Sequence, residues 1–286
     1  MAIIFQKKLL RPFALARDKL IREASLIVNT ILMRKYLNIG GGKNFSYFGW
    51  ENLEAVKSRY NKTPFYLTPQ CLFPFKSAQF ELSYSSHVFE HLDDETLQRV
   101  LFETRRTLRS GGDFIVKIPD FDRALLSLRT NDRSFFDEKQ WNLASVLPSW
   151  INNSVEDCIE NRAAFLFCGI WTTDTGNPFA DVKKASSAGY HGPPKLSQEE
   201  VSRILAGDSP HEISQRLVDR APGAIASEYD FNHRNAWSRS EITAILTKGG
   251  FKVNTTDTRI IIQRFKGIPG IRAMHNASLY IWATKT

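Results

Sequence analysis

A stripe at three- and four-residue steps, apolar save for Arg17, runs through Leu10, Phe13, Arg17, Leu20, Ala24, Ile27 and Ile31, and Leu9, Ile21 and Leu32 widen it. That period predicts a helix over 7–34, basic on its opposite face, with Pro12 near the start, where a missing N–H costs least. Short apolar runs then replace the helical period. "RKYLNIGGG" reads as a buried strand ending in a glycine turn, "YFGWENLE" (47–54) as a second strand, "TPFYLTP" as a third and "FELSYSSHVF" (80–89) as a fourth. "DDETLQRVLFETRRTLRSGG" predicts the clearest helix: Asp93, Asp94 and Glu95 open it, and Arg105, Arg106 and Arg109 close it. That charge order suits the helix dipole. Leu97, Val100, Leu101, Thr104 and Leu108 form its inner face, and Gly111–Gly112 are expected to stop it. "DFIVKIPDFD" reads as a fifth strand. Strands alternating with helices predict an α/β domain built on a parallel sheet.

The rhythm is lost over 123–232. "SQEEVSRILAG" (197–207) and "SPHEISQRLVD" (209–219) each open with Ser and place Glu three residues later, the pattern of a capping box. Residues 172–195 read as an extended loop. From 233 the pattern resumes with a third capping box, Ser238 with Glu241, and then two strands, "KVNTTDTR" and "SLYIWATK". The chain therefore divides into a basic amphipathic helix (1–34), a first half-domain (35–122), an insertion (123–232) and a closing segment (233–286).

Charge changes the picture at one place. The formal net charge of the 286-residue chain is +8, yet residues 1–35 hold eight Lys/Arg and two acids, or +6, leaving +2 for the rest. The body is nearly neutral, so a general nucleic-acid groove is not indicated, and the basic segment is a candidate contact with a membrane surface or a partner. No apolar run approaches the ~20 residues of a membrane-spanning helix. The first residues break their apolar run with charges too early for a signal peptide. Cys71, Cys158 and Cys168 are odd in number and lack metal-ligand spacing, which suits a reducing, cytoplasmic compartment and gives no reason to expect a metal.

The chemistry is expected where the first strand meets "NIGGG". A strand entering glycines places backbone N–H groups at the C-terminal edge of a parallel sheet, where ligands bind in open α/β folds. This is neither a phosphate-binding P-loop nor a full GxGxxG. Glu54, near the end of the second strand, stands where an acid accepts ribose hydroxyls in dinucleotide folds.

"LNIGGG", "GWENLE" and "SSHVFEHL", followed by "LRSGGDFIVKIPD" and "HRNAWSRSEITAILTKGGF", make an ordered set. The set resembles the class I S-adenosylmethionine-dependent methyltransferases, in particular their small-molecule, type 11-like branch, over roughly 35–122 and 233–286. The resemblance implies a Rossmann-like fold: a mostly parallel seven-stranded sheet with an N-terminal helix and an insertion after the fifth strand that serves as a substrate lid. It implies S-adenosylmethionine as cofactor. Asn38, Gly40, Gly41 and Gly42 would form the turn under the methionine and ribose. Glu54 would take the ribose hydroxyls, and Ser85, Ser86 and His87 would border the methionine end. His91 would stand near the substrate pocket. The chain departs from the family's pattern at one place: no acid stands between Tyr66 and Phe80, where the family contacts the adenine amine. Gln70 or a backbone group would have to substitute, and a degenerate, non-catalytic binding protein is the alternative this leaves open.

Ser86-His87-Val88-Phe89 is not the Asn/Asp-Pro-Pro-aromatic of exocyclic-amine nucleic-acid enzymes, and Cys71 is placed for packing rather than as a cytosine nucleophile. The acceptor expected is an oxygen or nitrogen atom of a small molecule or saccharide precursor. A nucleic-acid methyltransferase tethered by the basic helix is the further alternative. Histidine titrates near neutral pH, so His87, His91 and His233 are the candidate bases, with His191 behind them. Glu90–His91 reads equally as a capping and orienting pair. Asp120 and Asp122, after the fifth strand, read as substrate contacts or helix caps.

Overall fold

The computed structural model describes residues 20, 35–42, 45–136, 159–168, 196–220, 233–271 and 277–286. The helix expected over 7–34 (save residue 20), the loop expected over 172–195 and His191 lie outside them.

Among the described residues, six strands form one sheet. They are β1 (Tyr36–Ile39), β2 (Trp50–Leu53), β3 (Phe80–Ser86), β4 (Leu108–Pro119), β5 (Phe251–Thr255) and β6 (Ser278–Lys285). Their order across the sheet is β2-β1-β3-β4-β6-β5. The first four run parallel, and β6 runs antiparallel to both of its neighbours, β4 and β5. Side chains alternate between two apolar layers, as the pleat requires. Leu37, Ile39, Phe80, Val116 and Ile118 face α1 (Asp94–Thr107), and Trp237, Ile242 and Leu246 join them from the closing segment. Trp50, Tyr84, Ile115 and Tyr280 face the other way, toward Ile261 and Phe265.

Two expectations about the sheet are corrected. "TPFYLTP" is not a strand, so among the described residues the sheet has six strands rather than seven. Pro64 and Pro69 bracket the run and supply no N–H, so a ladder cannot extend through either end. One backbone bond survives, Phe65 N–H to Glu54 O at 2.9 Å, and Phe65 and Leu67 still pack on the core. Gly111–Gly112 do not stop α1 either. The helix ends at Thr107 and the chain enters β4 at Leu108. The glycines lie inside β4, where the pairing with β3 shifts register between Phe80 and Leu82 and Gly111 takes φ +68°. The stretch absorbs a β-bulge, one of the few uses of glycine within a strand.

Four helix starts form as their side chains specify. Asp93 accepts the Thr96 N–H at the start of α1. Ser197 and Glu200 cap α4 (Gln198–Leu205), and Ser238 and Glu241 cap α6 (Arg239–Lys248), both with reciprocal capping boxes. At the start of α5 (Pro210–Arg220), Ser209 Oγ accepts the Glu212 N–H at 3.1 Å. The described part of the insertion has an apolar core of its own. Phe121 of α2 (Phe121–Arg129), Phe135, Phe136, Phe167 of α3 (Ile159–Cys168), Val201 and Leu217 pack together there. The last helix, α7 (Thr258–Arg264), covers the second face of the sheet.

Candidate active site

The glycine turn sits at the C-terminal end of β1, and the protein's own side chains already crowd two of its three glycines. A Cβ on Gly40 would come within 2.3 Å of Val88 Cγ2. One on Gly41 would come within 1.9 Å of Asn38 Nδ2 and 2.6 Å of Asn52 Oδ1. Those two amides form a part-buried pair, Asn38 Nδ2 donating to Asn52 Oδ1 at 2.7 Å. Gly42 differs: its Cβ direction is open for 4 Å, and its φ of +69° is what favours glycine.

Glu54, just past β2, is buried and locks this turn. Its Oε2 accepts the Gly42 N–H at 2.5 Å and its Oε1 accepts the Val56 N–H at 2.9 Å. Asn61 fastens the Glu54 backbone in turn, donating from Nδ2 to the carbonyls of Glu54 and Val56.

Across the turn, the segment after β3 gathers the candidate bases. His87 adopts a left-handed φ of +53°, which turns the chain sharply at the strand end. Its Nδ1–H donates to Glu90 Oε1 at 3.0 Å, and its Nε2 lies 3.1 Å from Ser278 Oγ on β6. A hydroxyl, an imidazole and a carboxylate thus stand in line. His91 follows on a short 3-10 turn (Phe89–His91), its N–H donating to Val88 O at 3.0 Å. His233 comes from beyond the insertion. Its ring lies 4.8 Å from that of His91, centre to centre, and its Nδ1–H donates to Leu166 O at 2.6 Å. The Glu90 carbonyl binds this strand end to the closing segment by accepting the N–H groups of Arg234 and Asn235.

The electrostatics centre on Glu90. Burial raises its pKa, but the His87 hydrogen bond and the attraction of the His87, His91 and His233 rings in their protonated forms outweigh burial and hold it at about 2. Glu90 is therefore a permanent carboxylate at neutral pH. Burial pushes His233 down to about 4, so this imidazole is neutral at pH 7. Lys117 of β4, buried against the Tyr280 ring, is pushed down to about 8 by desolvation, partly opposed by Glu90.

A parallel sheet whose final strand is inserted antiparallel, with a glycine turn after β1 and an acid after β2, carries the resemblance into three dimensions. Residues 50–116 match the family model of a methyltransferase domain. The match supports the resemblance of this part of the chain to the class I S-adenosylmethionine-dependent methyltransferases. No curated protein matches in sequence. Among solved structures, a methyltransferase from Mesorhizobium loti is similar at 12% identity and a TM-score of 0.37, covering 92% of this chain and 96% of that one. One from Listeria monocytogenes gives 12%, 0.38, 89% and 90%. A 1,6-didemethyltoxoflavin-N1-methyltransferase from Burkholderia thailandensis, with S-adenosylhomocysteine bound, gives 11%, 0.36, 100% and 88%. Likeness at that level carries no argument about the acceptor.

S-adenosylmethionine is the cofactor of this methyltransferase class, and the residues present fit it at one end. Gly42 leaves open space beside a fixed carboxylate. Ser85 Oγ at the end of β3 and Asn52 Nδ2 are buried with no hydrogen-bond partner among the described residues. At the other end, Gln70 stands exposed in a turn, and it makes no hydrogen bond to Glu54 or the glycine turn. The structure thus gathers Asn38, Gly40, Gly41, Gly42 and Glu54 into one turn, and His87, His91 and His233 into a second group that Val88 joins to the first. Ser86 ends β3 between them, paired with Lys117.

Sequence reasoning missed Asn52, Val88, Lys117 and Ser278. Asn52 was within reach, because "WENLE" supplies a second amide one strand away from Asn38. The others depend on sheet order. Asp120 and Asp122 serve as helix-start acceptors: Asp120 Oδ1 takes the Arg123 N–H at 3.1 Å and Asp122 Oδ2 the Arg239 N–H at 2.7 Å. Cys71 is buried in the core, as expected for packing. A separate groove of about 610 Å³ between α1 and α6, lined by Leu97, Phe102, Trp237 and Ile245 among others, contains no candidate site residue.

Proposed function

We propose that the chain transfers a methyl group from S-adenosylmethionine to an oxygen or nitrogen atom of a small molecule or saccharide precursor. The observation that carries this reading is the contact of Gly40 with Val88, which sets the Glu54-locked turn directly against the His87–Glu90–His91–His233 group. When bound, S-adenosylmethionine supplies an electrophilic methyl on a sulfonium that departs as a neutral thioether. Asn38, the glycine turn and Glu54 hold the ribose and methionine, a carboxylate having enough lone pairs for hydroxyls as well as the two N–H groups it already serves. Gln70 takes the adenine side. Ser85 and Ser86 border the methionine end. His87, oriented by Glu90 and Ser278, accepts the acceptor's proton at its ring. Methyl transfer needs positioning and desolvation more than covalent help, so this division of labour suffices.

The insertion over 123–232 acts as the lid over the acceptor, and the basic segment 7–34 brings the enzyme to an anionic surface or partner. No helix among the described residues is long and apolar enough to cross a membrane.

The test is calorimetric titration with S-adenosylmethionine and S-adenosylhomocysteine, using Gly40→Arg and Glu54→Ala as controls. Binding that both substitutions abolish supports the reading and opens a screen of acceptors. A folded wild-type protein that binds neither compound refutes it. That result would favour the second reading, a non-catalytic binding protein on this fold, which the missing acid between Tyr66 and Phe80 recommends.

A further inference from the structure

We propose that Glu90, His91 and His233 bind one divalent first-row transition-metal ion of the zinc type. Each offers a ligand atom, and the three atoms lie within 4.8 Å of one another. Two imidazoles and one carboxylate, with further positions left to water or substrate, form the donor set of catalytic zinc and of related divalent sites. Such a set disfavours magnesium, which prefers oxygen ligands throughout.

Two further observations point to a cation. Glu90 Oε2 is buried and has no hydrogen-bond partner among the described residues, whereas Oε1 is held by His87. A buried carboxylate oxygen without a donor is costly, and a cation beside it removes that cost. The second is the tautomer of His233. Its Nδ1–H is committed to Leu166 O at 2.6 Å, which leaves the Nε2 lone pair as the ligand. A ring nitrogen tied to a backbone carbonyl is the usual outer support of a metal-binding histidine. His87, bonded to Glu90 Oε1 and Ser278, supports the carboxylate in the same way.

Metal–ligand distances of about 2.0–2.2 Å require the three atoms to draw closer than they stand. His91, only partly buried on its short turn, is the group that swings in. Cysteine spacing does not signal this site, because its ligands are a carboxylate and two imidazoles that stand on opposite sides of the insertion.

The role of the ion rests on the methyl-transfer reading, although its binding does not. An acceptor hydroxyl held here would pass its proton to His87, its oxygen lone pair would form the O–CH₃ bond, and the C–S electron pair would return to sulfur. A bound cation lowers the pKa of a coordinated hydroxyl, which favours the first of these events.

The experiment uses the full chain, stripped with a chelator and titrated with Zn²⁺, Mn²⁺ or Mg²⁺ in the absence of S-adenosylmethionine. The Co²⁺ form is also read by its visible absorption. We expect one Zn²⁺ per chain, Mg²⁺ much weaker, and a Co²⁺ spectrum of low coordination number. His91→Asn, on the partly exposed turn, should abolish both signals, as should His233→Gln, while His87→Gln weakens binding by about 10–100-fold. Glu54→Ala should bind metal normally while losing the cofactor, which separates failure of this site from failure of the proposed function. Absence of stoichiometric Zn²⁺ binding, or binding unaltered in folded His91→Asn and His233→Gln, would overturn the proposal.

Discussion

Glu103 and Phe73 are joined by a buried hydrogen bond, the Phe73 N–H donating to Glu103 Oε2 at 2.8 Å. Arg106 completes a clamp: it pairs with the same carboxylate and donates to the carbonyls of Phe73 and Phe75. The clamp fastens the Phe73–Phe75 segment, which follows "TPFYLTP", to helix α1. Removing one partner of a buried, hydrogen-bonded ion pair costs about 3–5 kcal/mol. Glu103→Ala should therefore lower stability by that order in chemical denaturation, and Arg106→Ala somewhat less, because Arg106 is partly exposed.

The same carboxylate sets an acid limit. Burial raises the pKa of Glu103, but the Arg106 hydrogen bond, the Phe73 N–H and the neighbouring arginine charges outweigh it and hold the group below the ordinary glutamate range. A depressed pKa means that the unfolded chain binds the proton more tightly than the folded one. The contribution is thus complete above the unfolded value of about 4.3 and fades as pH falls through the lower folded value. Between pH 5 and pH 3 the wild-type melting temperature should fall more steeply than that of Glu103→Gln. Parallel curves would show that the clamp carries no charge-dependent stability.

At the glycine turn the three glycines should respond differently to alanine. In Gly41→Ala the new methyl meets the Asn38–Asn52 amide pair, and cofactor binding should be lost. In Gly42→Ala there is no collision, only a left-handed backbone costing about 1–2 kcal/mol. It should keep most of its affinity at a modestly lower stability. Equal affinities for the two variants in a cofactor titration would contradict the turn described here.

Asp122 serves as an external cap for α6 by accepting the Arg239 N–H, next to the helix's own cap at Ser238. Asp122→Ala and Ser238→Ala should each cost about 1 kcal/mol. Because both act on the same helix end, the double variant should deviate from additivity, and a denaturant-based double-mutant cycle reads that coupling.

The basic segment makes a prediction about surfaces. A charge of +6 within 35 residues should draw the chain to vesicles containing anionic lipid, at roughly 1 kcal/mol per Lys or Arg near the surface. Sedimentation with such vesicles should weaken as salt rises and vanish when residues 1–34 are removed. Partition unaffected by the deletion would assign that charge to some other use.

Much of the fold was legible because it is local. The strand before "GGG", the helix from Asp93 and the boxes at Ser197 and Ser238 are written in neighbouring residues, and each formed. Errors arose where a residue type has two uses. Gly111–Gly112 read as a helix stop and served as a bulge. "TPFYLTP" has the side chains of a strand, but its prolines withhold the donors a ladder needs. The site was half legible. Glu54 and the glycines are positioned by adjacent strands, whereas His91 and His233 meet only after the insertion has folded back. No spacing rule spans such a gap, nor could one show that Val88 fills the space above Gly40.

Strand β6 lies between β4 and β5, and β5 is paired with β6 alone. Synthesis and assembly therefore run in opposite orders along this edge. The strand translated later must dock first, and β5 has nothing to join until it does. The four parallel strands can pair as they emerge, carrying the glycine turn with them. The far edge waits, and with it Ser278, the residue that steadies His87, so binding competence and catalytic alignment would be acquired at different moments in the life of a newly made chain.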